Sequence, residues 1–235
     1  MTPREQSVVD EAMKRKGSPD DVLAANFNLE IKRMDIQLLK ATGWLNDEII
    51  NFYGELIMQR SKSRRFLPRV MIMNTFFMQR LCDQHSGYQY QRVRKWTKDV
   101  DVFEFEKIIV PVHLGNHWCL AVIDMCEKQI KYYDSLGSSN SACLSALHRW
   151  IVDEWENKHG KKPIGERPPK PDMSLWKKLH ATDIPAQRNG YDCGVFACKF
   201  AECISRGAPF GFSQSDMPSI RRAMVFEIIS QKLFL

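Results

Sequence analysis

No apolar run in this 235-residue chain approaches the ~20 residues that a bilayer crossing requires. The amino terminus, MTPREQSVVDEAMKRKG, is charged and lacks the apolar core of a secretory signal. Zinc-finger spacing, an RNA-binding aromatic motif and internal repeats are missing as well. Cysteine is not scarce, but its count of seven is odd, which predicts thiols rather than disulfides and a reducing compartment, nuclear or cytosolic. Charge of one sign is not concentrated either. The net charge is +6, yet the basic residues are spread over Lys14 to Lys16, Lys62 to Arg65, Arg92 to Lys98 and Lys161 to Lys178, as solvated faces and loop edges are. An acidic protein partner therefore ranks above nucleic acid. The expectation is a soluble monomer of one domain, spanning 1–235, that needs no membrane, nucleic acid, metal or cofactor.

The rest of the chain is organised around Ile184 to Phe200, IPAQRNGYDCGVFACKF. Cys193 stands where a tight turn enters an apolar helix. The backbone N–H groups of a helix start favour a thiolate over a thiol. Gln187, at the end of a Pro- and Gly-marked approach, offers a side-chain amide donor. Taken alone, the stretch fits a buried structural cysteine better than a nucleophile. A nucleophile needs a base and an orienter elsewhere.

Ahead of that stretch, residues 1–26 read as an amino-terminal helix, Ser7 to Lys16, and a lead-in. Phe27, Leu29 and Ile31 alternate with polar residues as a short strand does. In TGWLNDEIINFYGELIMQR, Asn46 suits an N-cap, Asp47 and Glu48 suit the positive helix end, and Ile49, Phe52, Tyr53, Leu56 and Ile57 form one stripe. Trp44 falls just outside that helix. IIVPVHL, WCLAVIDM and IKYYDSL read as three strands, the first covered on both faces. Ala142 to Trp155 and Ile220 to Leu233 read as helices. The segment 160–172, GKKPIGERPPKPD, reads as an exposed loop.

His117 begins one strand of the WCLAVIDM and IKYYDSL pair, and Asp134 ends the other. A turn near Glu127 sets them opposite each other to within a few positions, each ~3.3 Å along the strand. A thiol of pKa ~8.5 needs an imidazole to take its proton, and the imidazole needs an acceptor to fix its tautomer. The Gln187 amide and the Cys193 backbone N–H suit a developing oxyanion. His113, His117 and Cys119 have a loose metal-ligand spacing with no fourth ligand, so no metal is assigned. His85, His148, His159 and His180 fall in loops or polar helix faces and receive no role.

WLNDEIINFY, NTFF, RVRKWTKDVDVFEFEKIIVPVHLGNHWCLAVID, KYYDSLG and QRNGYDCGVFACKFAECI together resemble the SUMO-specific cysteine proteases, the sentrin-protease branch of the ubiquitin-like protease family. The resemblance runs in order from about Phe27 to the end. It implies a papain-like α+β fold, with a central mixed or antiparallel sheet flanked by helices. It also implies a triad of His117, Asp134 and Cys193, with Gln187 as oxyanion donor. The modifier's Gly-Gly tail would lie between Trp44 and Trp118, a passage that excludes side chains, and Asp47 would meet the modifier's surface. The implied activity is cleavage after that diglycine, both in SUMO precursors and at lysine isopeptide bonds. Asn28 replaces an arginine of the family, which leaves a protease for another ubiquitin-like modifier as the alternative, with an inactive modifier-binding module as a third. The 160–172 loop reads as an insertion, and the chain as an excised catalytic domain.

Overall fold

The computed structural model describes residues 1–14, 16–83 and 86–234; His85 lies outside them. In chain order the first elements are α1 (Pro3–Met13), β1 (Val22–Asn26), β2 (Leu29–Lys32), α2 (Arg33–Gln37) and α3 (Asp47–Ser63). Next come β3 (Val70–Ile72), α4 (Phe77–Leu81), β4 (Cys82–Asp83), β5 (Gly87–Tyr88) and α5 (Tyr90–Val93). The series closes with β6 (Lys107–His113), β7 (Trp118–Asp124), β8 (Gln129–Tyr133), α6 (Ser141–His159), β9 (Lys177–His180), α7 (Cys193–Ser205) and α8 (Met217–Ile229). Two compact units emerge, one built from Met1–Leu67 with Asp183–Leu235 and the other from Pro68–Thr182.

In the first unit, α3 forms as its sequence predicts. Asn46 caps it, its Oδ1 accepting from the Ile49 N–H at 3.1 Å, and Ile49, Phe52, Tyr53, Leu56 and Ile57 are all buried. The first helix differs. It starts at Pro3, not Ser7, because Thr2 and Glu5 close a capping box around a proline at the first turn. Phe27 is not in a strand. It and Asn28 form the tip of the β1–β2 hairpin with φ of 57° and 58°, the left-handed pair that a two-residue turn requires. Helix α8 begins and ends earlier than expected. Ser230 is its cap, and Gln231 takes a left-handed φ of 52°. Leu233 is nevertheless buried, so the chain end packs down.

The far half of α7 is held by charge. Glu202 is buried between Arg60 (Nη1 to Oε1, 2.6 Å), Arg206 (Nε to Oε1, 2.6 Å) and Lys199 (2.8 Å). Burial would raise its pKa, but hydrogen bonds from Arg206, Lys199 and Arg60 outweigh burial and bring it to about 2.

The second unit is a five-stranded sheet of order β3-β6-β7-β8-β9. Its three central strands are antiparallel, while β3 and β9 add in parallel at the edges, so the sheet is mixed and the fold α+β. Every residue of β7 is buried. Cys119, Ala121 and Ile123 alternate toward a core completed by Ile130, Tyr132, Leu147, Trp150, Ile151 and Phe77. Asn140 caps α6, which runs past the expected Trp155 to His159. His159 is not on a polar face: it is 2% exposed, against Asp101, Phe103 and Trp155. His180 is not in a loop but in β9, a strand that its Lys-rich sequence conceals. The 160–172 segment is mostly exposed as expected, though Arg167 and Lys170 lie over the Trp155 ring and Lys170 also pairs with Glu156. Among the described residues no helix is long and apolar enough to cross a membrane.

Glu202 titrates below its ordinary value in the folded chain. Its stabilising contribution is complete above about 4.5 and drains away as the pH falls toward about 2. Glu202→Gln should cost about 3 kcal/mol near neutral pH in urea unfolding, with a gap to the parent that closes on acidification. A gap that does not change with pH would remove the ion cluster from the account.

Candidate active site

Strand register brings His117 and Asp134 together. Leu120 pairs with Tyr133 across β7 and β8, and that register continued by one step sets Asp134 opposite Cys119 and diagonal to His117, two residues along on the same face. His117 Nε2 lies 2.6 Å from Asp134 Oδ1. That carboxylate is itself fixed, because Oδ1 accepts from the Leu136 N–H at 2.8 Å and Oδ2 from the Ser138 N–H at 3.1 Å. Its burial would raise the pKa, but the His117 contact and the two backbone donors hold it below its ordinary value. Asp134 is thus an ionised acceptor, and His117 carries its proton on Nε2. The expected pair forms.

Trp118 follows His117 and is only 7% exposed. His113, its partner across β6 and β7, stacks on the indole with centroids 4.1 Å apart, so His113 supports an aromatic wall and is not a metal ligand. Cys119 is two residues beyond His117, on the same side of the strand. One nitrogen of His117, the Cys119 Sγ and an Asp134 oxygen all lie within 4.8 Å of one another.

The first unit holds the other expected residues. Cys193 is the first residue of α7 and is 3% exposed. Gln187 is buried, and its amide donates to the Asn189 carbonyl. Asn189 shapes the turn: its Oδ1 accepts from Tyr191 N (3.2 Å) and Asp192 N (3.1 Å), and its Nδ2 donates to Asp192 Oδ2 at 2.7 Å. Trp44 is 52% exposed in the loop before α3, and Asp47 is half-buried at the helix start. Next to Cys193, Gly194 is required by space, since a Cβ there would fall 2.8 Å from Leu45 Cβ. An open cleft of about 870 Å³ in this unit is lined by Asn28, Glu30, Asp35 and Glu48 among others.

Sequence reasoning missed Arg221. It is 1% exposed, with Nε donating to Asp192 Oδ1 at 2.8 Å. Its Nη1 donates to the Leu38 and Lys40 carbonyls, both at 3.0 Å, and Nη2 to those of Gly43 (2.8 Å) and Tyr191 (3.1 Å). One guanidinium therefore fixes both the loop that leads to Trp44 and the turn that leads to Cys193. In the sequence it was one basic residue on a helix, with nothing to distinguish it from Arg222, which pairs with Asp10 instead.

Comparison with known proteins follows this geometry. The model of the Ulp1 protease family, C-terminal catalytic domain, matches residues 43–233. A sentrin-specific protease of Caenorhabditis elegans is 43% identical over 217 residues, 92% of this chain and 29% of that protein. Sentrin-specific protease 2 of Mus musculus is 41% identical over 221 residues, 92% of this chain and 35% of that one. The chain thus spans about a third of the length of these relatives. A solved C-terminal Ulp1 protease domain, in complex with Smt3, the yeast ortholog of SUMO, superposes with a TM-score of 0.79 at 28% identity, over 98% of this chain and 96% of that one.

The contact at Gly194 gives a direct test. Gly194→Ala overpacks the first turn of α7 and should destabilise by about 1–3 kcal/mol. Leu45→Ala, made in the same chain, should give back part of that loss. Strictly additive losses in a double-mutant cycle would mean that the two residues do not press on each other.

Proposed function

The chain belongs to the Ulp1 protease family, as a C-terminal catalytic domain, and from that premise we propose that it is a thiol protease and isopeptidase acting on SUMO. It would cleave after the carboxyl-terminal Gly-Gly, maturing precursors and releasing the modifier from substrate lysines. The observation that carries this reading is that the family match covers His117, Asp134, Gln187 and Cys193 within one stretch, 43–233, with a competent residue at each position. We treat 1–235 as one catalytic domain. Seven cysteines without a disulfide among the described residues support work in a reducing compartment, the nucleus or cytosol.

The roles follow from chemistry. Cys193 is the nucleophile, at a helix start whose N–H groups favour its thiolate. With Nε2 of His117 committed to Asp134, the thiol proton passes to Nδ1. The sulfur attacks the carbonyl carbon of the terminal glycine, and the carbonyl oxygen becomes an oxyanion. Gln187 Nε2 and the Cys193 backbone N–H donate to that oxyanion. As the intermediate collapses, the imidazolium protonates the departing amine, leaving a thioester on Cys193. Water, deprotonated by His117, then hydrolyses the thioester and frees the modifier's carboxylate. Asp134 keeps the imidazole in the productive tautomer throughout.

Selection rests on Trp44 and Trp118, whose indoles suit a tail without side chains. Asp47, half-buried at the start of α3, suits a basic group on the modifier.

Cys193→Ala should abolish cleavage of a SUMO precursor while the modifier still binds. Cleavage retained in a clean Cys193→Ala preparation ends this reading. Asp134→Ala should slow turnover less than loss of the thiol does. Gln187→Ala should lower kcat by roughly 10²- to 10³-fold with little change in modifier affinity; the opposite pattern would assign Gln187 to binding. Parallel assays on other diglycine-ended modifiers measure how far Asn28 shifts preference.

A further inference from the structure

We propose that His117, Cys119 and Asp134 form a site for a borderline-soft divalent cation, Zn²⁺ above all, and that occupation of this site switches the enzyme off. The three residues supply one imidazole nitrogen, one thiol sulfur and one carboxylate oxygen, and their ligating atoms lie within 4.8 Å of one another. This is the N, S and O set that selects zinc over magnesium or calcium. The spacing of the sequence did not reveal it. Two ligands alternate along β7 and the third comes from the end of the neighbouring strand, whereas His113 is taken up by Trp118.

The surroundings favour a cation. Cys119 is 1% exposed and Asp134 3%, so a metal enters a site of low water content. Cys119 must give up its thiol proton to bind a metal. A divalent cation displaces that proton to solvent and forms a bond to the thiolate; at His117 it takes the nitrogen that faces Asp134, whose proton moves to the other ring nitrogen, and its bonds to the two side chains replace their hydrogen bond. No bond is redox-altered, and chelation reverses the step.

The consequence for activity rests on the reading of His117 as the base. A cation on the nitrogen that faces Asp134 leaves the imidazole's proton on Nδ1, the nitrogen that must accept the thiol proton. The metal site itself does not rest on that reading, and the two are separable.

The test uses the whole chain and Co²⁺ alone as the spectroscopic probe. In Cys193→Ala, one equivalent of Co²⁺ should give a thiolate-to-cobalt charge-transfer band, and Cys193→Ala with Cys119→Ser should lose it. The same band in the double variant, or no band in Cys193→Ala, overturns the proposal. With SUMO precursor as substrate, Cys119→Ser should keep basal turnover and need at least ~10-fold more Zn²⁺ for half inhibition, while Mg²⁺ should inhibit neither form. Equal Zn²⁺ sensitivity assigns inhibition to the reactive cysteine instead and also overturns it. Cys119→Ala, smaller and without a ligating atom, should behave as Cys119→Ser does. If cleavage survives in Cys193→Ala, the protease reading falls, but the cobalt result stands by itself.

Discussion

The ion pair between Arg221 and Asp192 is the constraint on which the first unit depends. Both side chains are almost wholly buried, and removing two charges from water costs several kcal/mol per ion unless the remaining donors and acceptors are met. Here they are met. Arg221 also binds four backbone carbonyls, and Asp192 also accepts from Asn189 and Gln214. The partners are loop groups that no helix or strand would satisfy. An unpaired carbonyl in that setting would cost about as much as a lost hydrogen bond, so the guanidinium replaces the secondary structure that residues 38–43 and 191–192 lack. The turn before Cys193 is irregular in backbone and still held in place.

The second unit solves its positioning problem by register. A strand buried along its whole length cannot slip by one residue without sending its apolar side chains to the wrong face. His117 and Asp134 sit just outside the paired residues of β7 and β8, so the packing of Ala121, Ile123, Ile130 and Tyr132 fixes their approach. Asp134 then receives two backbone N–H groups from the turn that follows it, which makes its orientation a property of the fold. Polar chemistry at the strand ends is held by apolar chemistry at the strand centres.

Much of this was legible in the sequence, and the exceptions share a cause. Periodic apolar residues announced α3, β6, β7, β8 and α7, and the Asn46 cap and the His117 and Asp134 pairing followed from local rules. What stayed hidden depends on partners distant in sequence. Arg221 looked like a surface cation because its five donors meet residues up to 183 positions away. His159 looked polar because burial against Phe103 and Asp101 is a tertiary fact. β9 carries two lysines in four residues and is a strand only because β8 offers it an edge. The hairpin tip at Phe27 and Asn28 was misread because an aromatic in the left-handed region is rare, so alternation outweighed the turn.

The thiols show how place, more than residue type, sets reactivity. Helix α7 carries three cysteines. Cys198, in its middle, has every neighbouring backbone group paired, and burial raises its thiol to about 12. Cys143, in the first turn of α6 but with its N–H taken by the Asn140 cap and its side chain packed in the sheet core, is raised to about 12 as well. These thiols behave as small hydrophobes. Cys193 is as buried as either by exposure, at 3% against 4% for Cys198 and 3% for Cys143, so burial cannot be what distinguishes it. It differs in standing at the first residue of a helix, where backbone N–H groups have no carbonyl of their own helix to meet. A thiolate can be stabilised there in a way that the middle of a helix does not allow. Gly194 suits that position, because a Cβ there would fall 2.8 Å from Leu45 Cβ and one of the two would have to give way.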